Sequence, residues 1–278
     1  MEIKAADVAK LRQMTGAGMM DCKNALVEAN GDFDRAKEII REKGKLVAAK
    51  RADRATTEGA VIAKISPDYK KAILVCLGCE TDFVSQNAEF QALANSIAGV
   101  ALAEYPDNLK ALLDARVGET TIQELVTQQT GKSGEKHDIP YYGHIEAGYI
   151  AAYIHTNGKV ATIVGFNKKV SDEVGKDIAM QITAMAPVSI SKADCPFPVV
   201  EKELEIYREQ INQDPKMAGK DAKMIEQIAQ GKLQKFFKES TLEDQTFVKD
   251  GKISVAAYLK AADPEAKVTA FRRFSLND

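Results

Sequence analysis

The feature that most constrains the fold is an internal repeat. Gly59-Ala-Val-Ile-Ala-Lys-Ile65 can be laid on Gly148-Tyr-Ile-Ala-Ala-Tyr-Ile154. At the same offset of 89 residues (59 to 148, 72 to 161), Ala72-Ile-Leu-Val-Cys-Leu77 falls on Ala161-Thr-Ile-Val-Gly-Phe166. Each copy reads as strand, turn, strand, with Pro67-Asp68 turning the first and Asn157-Gly158 the second. A helical stretch follows each hairpin, Ala88 to Ala103 and Val174 to Met185. Two related α+β halves, side by side, are the expected core.

Three short helices precede the first copy. Ala5 to Thr15 carries Val8, Leu11 and Met14 on one stripe and breaks at Gly16-Ala17-Gly18. Met19 to Ala29 places Cys22, Ala25, Leu26 and Ala29 at helical spacing. Asn30-Gly31-Asp32 is a second break, with Asp32 a good N-cap, and the stripe Phe33, Ala36, Ile39, Ile40 is expected to stop at Gly44. Such small bundles usually bind other proteins. Lys45 to Thr57 reads as a basic linker with Lys50, Arg51 and Arg54. Between the halves, Asn108 to Thr130 looks helical, and Gln128 to Tyr142 reads as a loop. After the second half, Cys195-Pro-Phe-Pro198 ends regular structure. Val199 to Gln213 and Lys220 to Glu239 are charged helices with narrow apolar seams, joined at Asp214-Pro215, and suggest an antiparallel coiled-coil hairpin. Val268 to Phe274 alternates as a final strand.

Composition removes several classes of function. Of 278 residues 45% are hydrophobic, enough to bury more than one domain. The formal net charge is -2, so nothing demands a polyanionic partner. Tryptophan is absent and aromatics make up 6%, which disfavours a base-stacking platform. No long apolar run follows Met1-Glu-Ile-Lys-Ala-Ala-Asp7, so neither a signal peptide nor a membrane span is expected. Cys22, Cys76, Cys79 and Cys195 do not form a disulfide framework, and a reducing cytosol fits.

Catalytic chemistry finds little support. Cys76-Leu-Gly-Cys79 has redox or zinc spacing but lacks a second pair, and His137, His144 and His155 match no metal spacing. In a continuing strand these two thiols point to opposite faces. Gly131-Lys132-Ser133 resembles the end of a phosphate loop, but no strand precedes it and Gly134 follows, so a flexible loop is expected. Interaction chemistry remains. Met20 falls nearly opposite the apolar side of its helix, Met19 lies at its edge, and Arg12 sits off the first stripe. An exposed Met is ordinary, yet a thioether beside a glycine turn is also a good docking group. Thr81-Asp82-Phe83-Val84 follows a strand in the first half only. A Phe at a strand end is usually core; beside Asp at a polar tip it can be an exposed wedge. Asp82 could cap the backbone around Ser85 or meet a partner directly.

Several ordered segments resemble the bacterial elongation factor Ts family: Leu11-Arg-Gln-Met-Thr-Gly-Ala-Gly-Met-Met-Asp-Cys-Lys23, Glu28-Ala-Asn-Gly-Asp32, Cys79-Glu-Thr-Asp-Phe-Val84, Phe90-Gln-Ala92, Val199-Val-Glu-Lys-Glu203 and Gly231-Lys-Leu-Gln-Lys-Phe236. The resemblance covers nearly the whole chain. It implies an α+β protein with a ubiquitin-associated-like N-terminal helical domain (1–54), a core N-subdomain (55–139), a core C-subdomain in two parts (140–198 and 240–278) and an inserted coiled-coil hairpin (199–239). It implies nucleotide exchange on elongation factor Tu, in GDP-bound and nucleotide-free forms, in the cytoplasm. The protein would not be an enzyme and would need no cofactor, metal, DNA or membrane; an RNA contact is not expected. Arg12, Met19 and Met20 match the family's N-terminal docking residues. Thr81, Asp82, Phe83 and Val84 match the segment that acts near the partner's magnesium site, and His155 matches a further contact. Longer members continue past the final strand into a C-terminal helix that touches the partner. The rival readings are a scaffold or RNA-linked binding protein and a redox enzyme using Cys76 and Cys79.

Overall fold

The computed structural model describes residues 3–215 and 221–276. Met1, Glu2, Lys220 and Asp278, which enter the sequence reading, lie outside the described residues. In chain order the elements are α1 (Ala5–Thr15), α2 (Met19–Glu28), α3 (Phe33–Lys50), β1 (Glu58–Ile65), β2 (Lys71–Cys79), α4 (Asp82–Ser85), α5 (Ala88–Glu104), α6 (Leu109–Asp114), β3 (Arg116–Val117), β4 (Thr120–Thr121), α7 (Ile122–Ser133), β5 (His137–Glu146), β6 (Tyr149–Ile154), β7 (Val160–Phe166), α8 (Asp172–Met185), α9 (Phe197–Gln213), α10 (Ala222–Ser240), α11 (Val255–Ala262) and β8 (Val268–Ser275).

Each repeat copy supplies an antiparallel hairpin, and a later strand joins it to make three. The sheets are ordered β1-β2-β5 and β6-β7-β8. Their central strands are buried on both faces. From β2, Ile73, Val75, Leu77 and Cys79 meet Phe90, Ala94 and Ile97 of α5, while Ala72, Leu74 and Cys76 face the other sheet. From β7, Val164 and Phe166 meet Ile178 and Ile182 of α8, while Ala161 and Ile163 face back. The layers are therefore helix, sheet, sheet, helix. Tyr141 stacks on Phe274 across the middle at 4.6 Å. Double burial is why the two strands read as continuous apolar runs rather than alternating ones.

Two connecting segments differ from the sequence reading. Asn108 to Thr130 is not one helix: α6 ends, a two-residue hairpin turns at Gly118 (φ 65), and α7 restarts on a capping box between Thr121 and Glu124. Gln128 to Tyr142 is not a loop. α7 continues through Gly131-Lys132-Ser133 and stops at Gly134, and β5 begins at His137. Pro140 hid the strand, because proline cannot donate to a ladder; it is exposed on an edge strand, where the β2–β5 register shifts between Cys76 and Gly78. Because β5 pairs with β2 through Glu146, the boundary expected at 139/140 falls inside a strand of the first sheet.

The N-terminal helices close over Val8, Leu11, Cys22, Ala25, Leu26, Ala36 and Ile39. Asp32 caps α3 by accepting N–H bonds from Asp34 and Arg35. Met14, placed on the first stripe by spacing, is instead 51% exposed near the C-terminal end of α1. Gly44 does not end α3; the helix runs on to Lys50. Gly44 is buried because α3 crosses α7 there, against Gly131. A salt bridge from Arg41 to Glu124 closes the same seam. The α9–α10 pair lies side by side, with Arg208 bridging Glu226 through two hydrogen bonds and Ile211, Ala229, Leu233 and Phe237 buried.

The crossing is asymmetric, and that makes it testable. A Cβ on Gly131 would lie 2.7 Å from the Cα of Gly44, whereas a Cβ on Gly44 would lie an ordinary 3.7 Å from the Cα of Gly131. Gly131→Ala should therefore lower stability by about 1–3 kcal/mol through overpacking. Gly44→Ala should be neutral or gain up to about 1 kcal/mol of helix propensity. Denaturant unfolding of the two variants tests this, and equal effects would show that the seam is not this tight.

Candidate functional site

Strand β2 delivers the site. It ends at Cys79, and Glu80 and Thr81 lead into the single turn α4. Thr81 is its N-cap: the hydroxyl oxygen accepts the Val84 N–H at 3.5 Å and the carbonyl accepts the Ser85 N–H at 3.1 Å. Asp82 is not the cap considered from the sequence. It occupies the first helical position, is exposed, and its side chain makes no hydrogen bond among the described residues; the hydroxyl one position earlier already holds the Val84 N–H. Val84 packs against the α5-side core, and Ser85 is buried. Phe83 is 86% exposed, so it is not core. A phenyl ring held out on a one-turn helix is unfavourable in isolation, since burying a Phe yields about 1.5–3 kcal/mol.

The base of the turn is fixed by groups distant in sequence. Glu135 accepts the Thr81 N–H at 3.1 Å and the Thr81 hydroxyl at 2.7 Å. Glu80 accepts the Lys136 N–H at 2.6 Å and the Arg51 guanidinium at 2.8 and 3.1 Å. The Lys136 N–H first, and Arg51 with it, hold the Glu80 carboxyl below the usual carboxylate range. The Lys136 ammonium donates to the carbonyls of Ala52 and Arg54, at 2.9 and 2.8 Å. Spacing gave no hint of Arg51, Glu80, Glu135 or Lys136, because their partners lie 29 to 84 positions away.

Met20 is 65% exposed and Met19 44%, at the start of α2, and Arg12 is exposed on α1. Lys132 links this end of the bundle to the start of α5. Its side chain packs against Gly16, and its ammonium lies 3.6 Å from Glu89, in the first turn of α5. The bundle and the start of α5 thus flank one lysine. His155 stands apart, after β6, with Nδ1 3.4 Å from the Tyr153 hydroxyl.

The two close cysteines are poor nucleophiles. They lie on opposite faces of β2, Cys76 toward the sheet interface and Cys79 toward α5. Burial drives both thiols up, Cys79 to about 12 and Cys76 further, so they stay protonated at neutral pH. Among the described residues no group of three His, Cys, Asp or Glu could hold a metal ion, and no helix is long and apolar enough to cross a membrane.

The family model described as elongation factor TS matches residues 80–278. The chain is 44% identical to elongation factor Ts of Christiangramia forsetii over 277 residues, covering 99% of both chains. It is 43% identical to that of Porphyromonas gingivalis over 278 residues, covering 100% of this chain and 99% of the relative. The Amoebophilus asiaticus protein of the same name is 44% identical over 276 residues, covering 98% of each.

His137, at the start of β5, sets a pH dependence. Nδ1 lies 3.0 Å from the Glu135 carbonyl, an acceptor only, so Nδ1 carries the proton; buried Nε2 has no partner among the described residues. Desolvation lowers its pKa from 6.5, so it folds neutral, while the unfolded chain takes up a proton below that value. Stability should be full above pH 6.5 and decline as pH falls below it. His137→Gln should flatten that decline. Urea midpoints between about pH 7.5 and 5.5 measure both, and parallel profiles would refute the neutral buried imidazole.

Proposed function

The chain belongs to the elongation factor Ts family, and on that premise we propose that it is a guanine-nucleotide exchange factor acting on elongation factor Tu in the cytoplasm. It binds the GDP-loaded partner, disturbs the magnesium and phosphate site, and is left holding the nucleotide-free form. The observation that carries this reading is the exposed phenyl ring of Phe83 on a turn whose base is fixed.

No covalent chemistry is required of the factor. A GTPase holds its nucleotide through phosphate-binding backbone, a lysine and magnesium. A factor that binds the empty form better than the loaded form weakens nucleotide by the same ratio. A thousandfold faster release needs about 4 kcal/mol of barrier lowering. A ring inserted into a packed partner is suited to this, because packed cores switch between discrete arrangements. In this reading the N-terminal helices are a ubiquitin-associated-like docking domain using Arg12, Met19 and Met20. The α9–α10 pair is an inserted coiled coil, and His155 touches a second part of the partner.

The two exposed features should fail in different ways. A docking contact is made equally before and during nucleotide departure, so it gives uniform binding, whereas a wedge is best seated only once the site has opened. Titration of each variant against elongation factor Tu loaded with fluorescent GDP separates them. Phe83→Ala should lower the saturating release rate by about thirtyfold, as expected for losing an aromatic anchor worth about 2 kcal/mol. Met20→Ala should raise the half-maximal concentration about fivefold, about 1 kcal/mol, yet reach the full rate. Leu26→Ala, fully buried, should destabilise the bundle by about 2–5 kcal/mol. Full rate with saturating Phe83→Ala would reduce the ring to an anchor, and an unchanged rate with the wild-type chain would favour a scaffold.

A further inference from the structure

We infer that Glu135 is the positioning residue of the Phe83 wedge: it acts on nucleotide release through Thr81, without itself needing to touch the partner. The inference rests on the exchange reading above. Phe83 is exposed, so its own packing cannot aim it. Its direction must come from the base of the turn. There the two carboxylate oxygens of Glu135 take the N–H and the hydroxyl of the same residue, Thr81. With its hydrogen committed to Glu135, the hydroxyl presents lone pairs to the Val84 N–H, so the carboxylate orients the helix cap. The Thr81 carbonyl is also engaged, accepting the Ser85 N–H and the Cys79 thiol at 3.2 Å. No polar group of Thr81 is left free to swivel.

The second half of the repeat supports the assignment. At the same offset of 89 residues, Thr81 corresponds to buried Val170, whose side chain could neither donate to a carboxylate nor cap a helix. There Ser171 caps α8 directly by accepting the Val174 N–H at 3.3 Å, and Asp172 stands in place of Phe83. The carboxylate clamp is present in the half that carries the exposed ring.

The experiment is a double-mutant cycle on the full chain, read by release of fluorescent GDP from elongation factor Tu. Glu135→Ala should lower the saturating rate about tenfold, since a displacement of about 1 Å can cost up to a hundredfold. The half-maximal concentration should move less than about twofold, because the docking contacts are untouched. In the Phe83→Ala background Glu135→Ala should cause no further loss, because a residue that acts through the ring has nothing left to aim. Glu135→Gln, which keeps an acceptor and a polar partner for Thr81, should recover most of the rate. In the free chain, hydrogen exchange at the Thr81 amide should accelerate in Glu135→Ala and much less in Glu135→Gln. Should Glu135→Ala fail to fold, Thr81→Val removes both hydroxyl bonds, the one to Glu135 and the cap on the Val84 N–H, leaves the Thr81 N–H on the carboxylate, and should show the same pattern. An unchanged saturating rate, or an equal loss with and without Phe83, overturns the positioning role while the exchange reading stands. No acceleration by the wild-type chain overturns the exchange reading and this role with it.

Discussion

Both faces of β2 are buried, and the rest of the molecule is organised around that. Its odd-numbered side chains from Ile73 to Cys79 are covered by α5 and its even-numbered ones from Ala72 to Cys76 by the facing sheet. A strand held from both sides cannot slip, because a one-residue shift would exchange the two sets. Its end at Cys79 is therefore a fixed point, from which the chain emerges into Glu80, Thr81 and the exposed ring. The large apolar burial that stabilises the fold also fixes where the exposed phenyl of Phe83 stands.

A fixed strand end does not by itself orient a turn. That second constraint is polar and comes from elsewhere in the chain. Arg51 and Lys136 hold Glu80, and Glu135 holds Thr81. Arg51 directly follows α3, so one ion pair ties the last helix of the N-terminal bundle to the residue before the cap. The Gly44–Gly131 crossing and the contact of Lys132 with Gly16 join the bundle to α7, and Glu135 follows that helix directly after Gly134. Bundle and turn are thus parts of one scaffold.

What could be read from the sequence was what local pattern encodes. The repeat offset gave both hairpins, and the apolar stripe in Cys22, Ala25 and Leu26 gave the inner side of α2 and left Met20 outside. What could not be read depends on contacts between distant positions. Gly44 reads as a helix stop because glycine is a poor helix former; only α7 lying against it explains why the helix continues. Gln128 to Tyr142 reads as a loop, yet its second part belongs to the edge strand β5, in which Pro140 is tolerated because it need not donate to a ladder. Glu135 is an ordinary surface carboxylate until Thr81 is placed beside it.

The two halves show how little sequence change separates support from action. Both end a buried central strand near a capped helix, and both caps are short hydroxyl side chains, Thr81 and Ser171. In the second half the position after the cap is Asp172, which is exposed, and the Tyr149 hydroxyl donates to it at 3.1 Å, tying the turn to its own sheet. In the first half Asp82 and Phe83 are exposed, and the bonds to a carboxylate are made at the cap itself, from Thr81 to Glu135. The same architecture therefore ties one turn to its own sheet through an exposed carboxylate and presents an exposed aromatic ring at the other. A shared fold sets where these turns stand, and a few side chains at each decide what it can do.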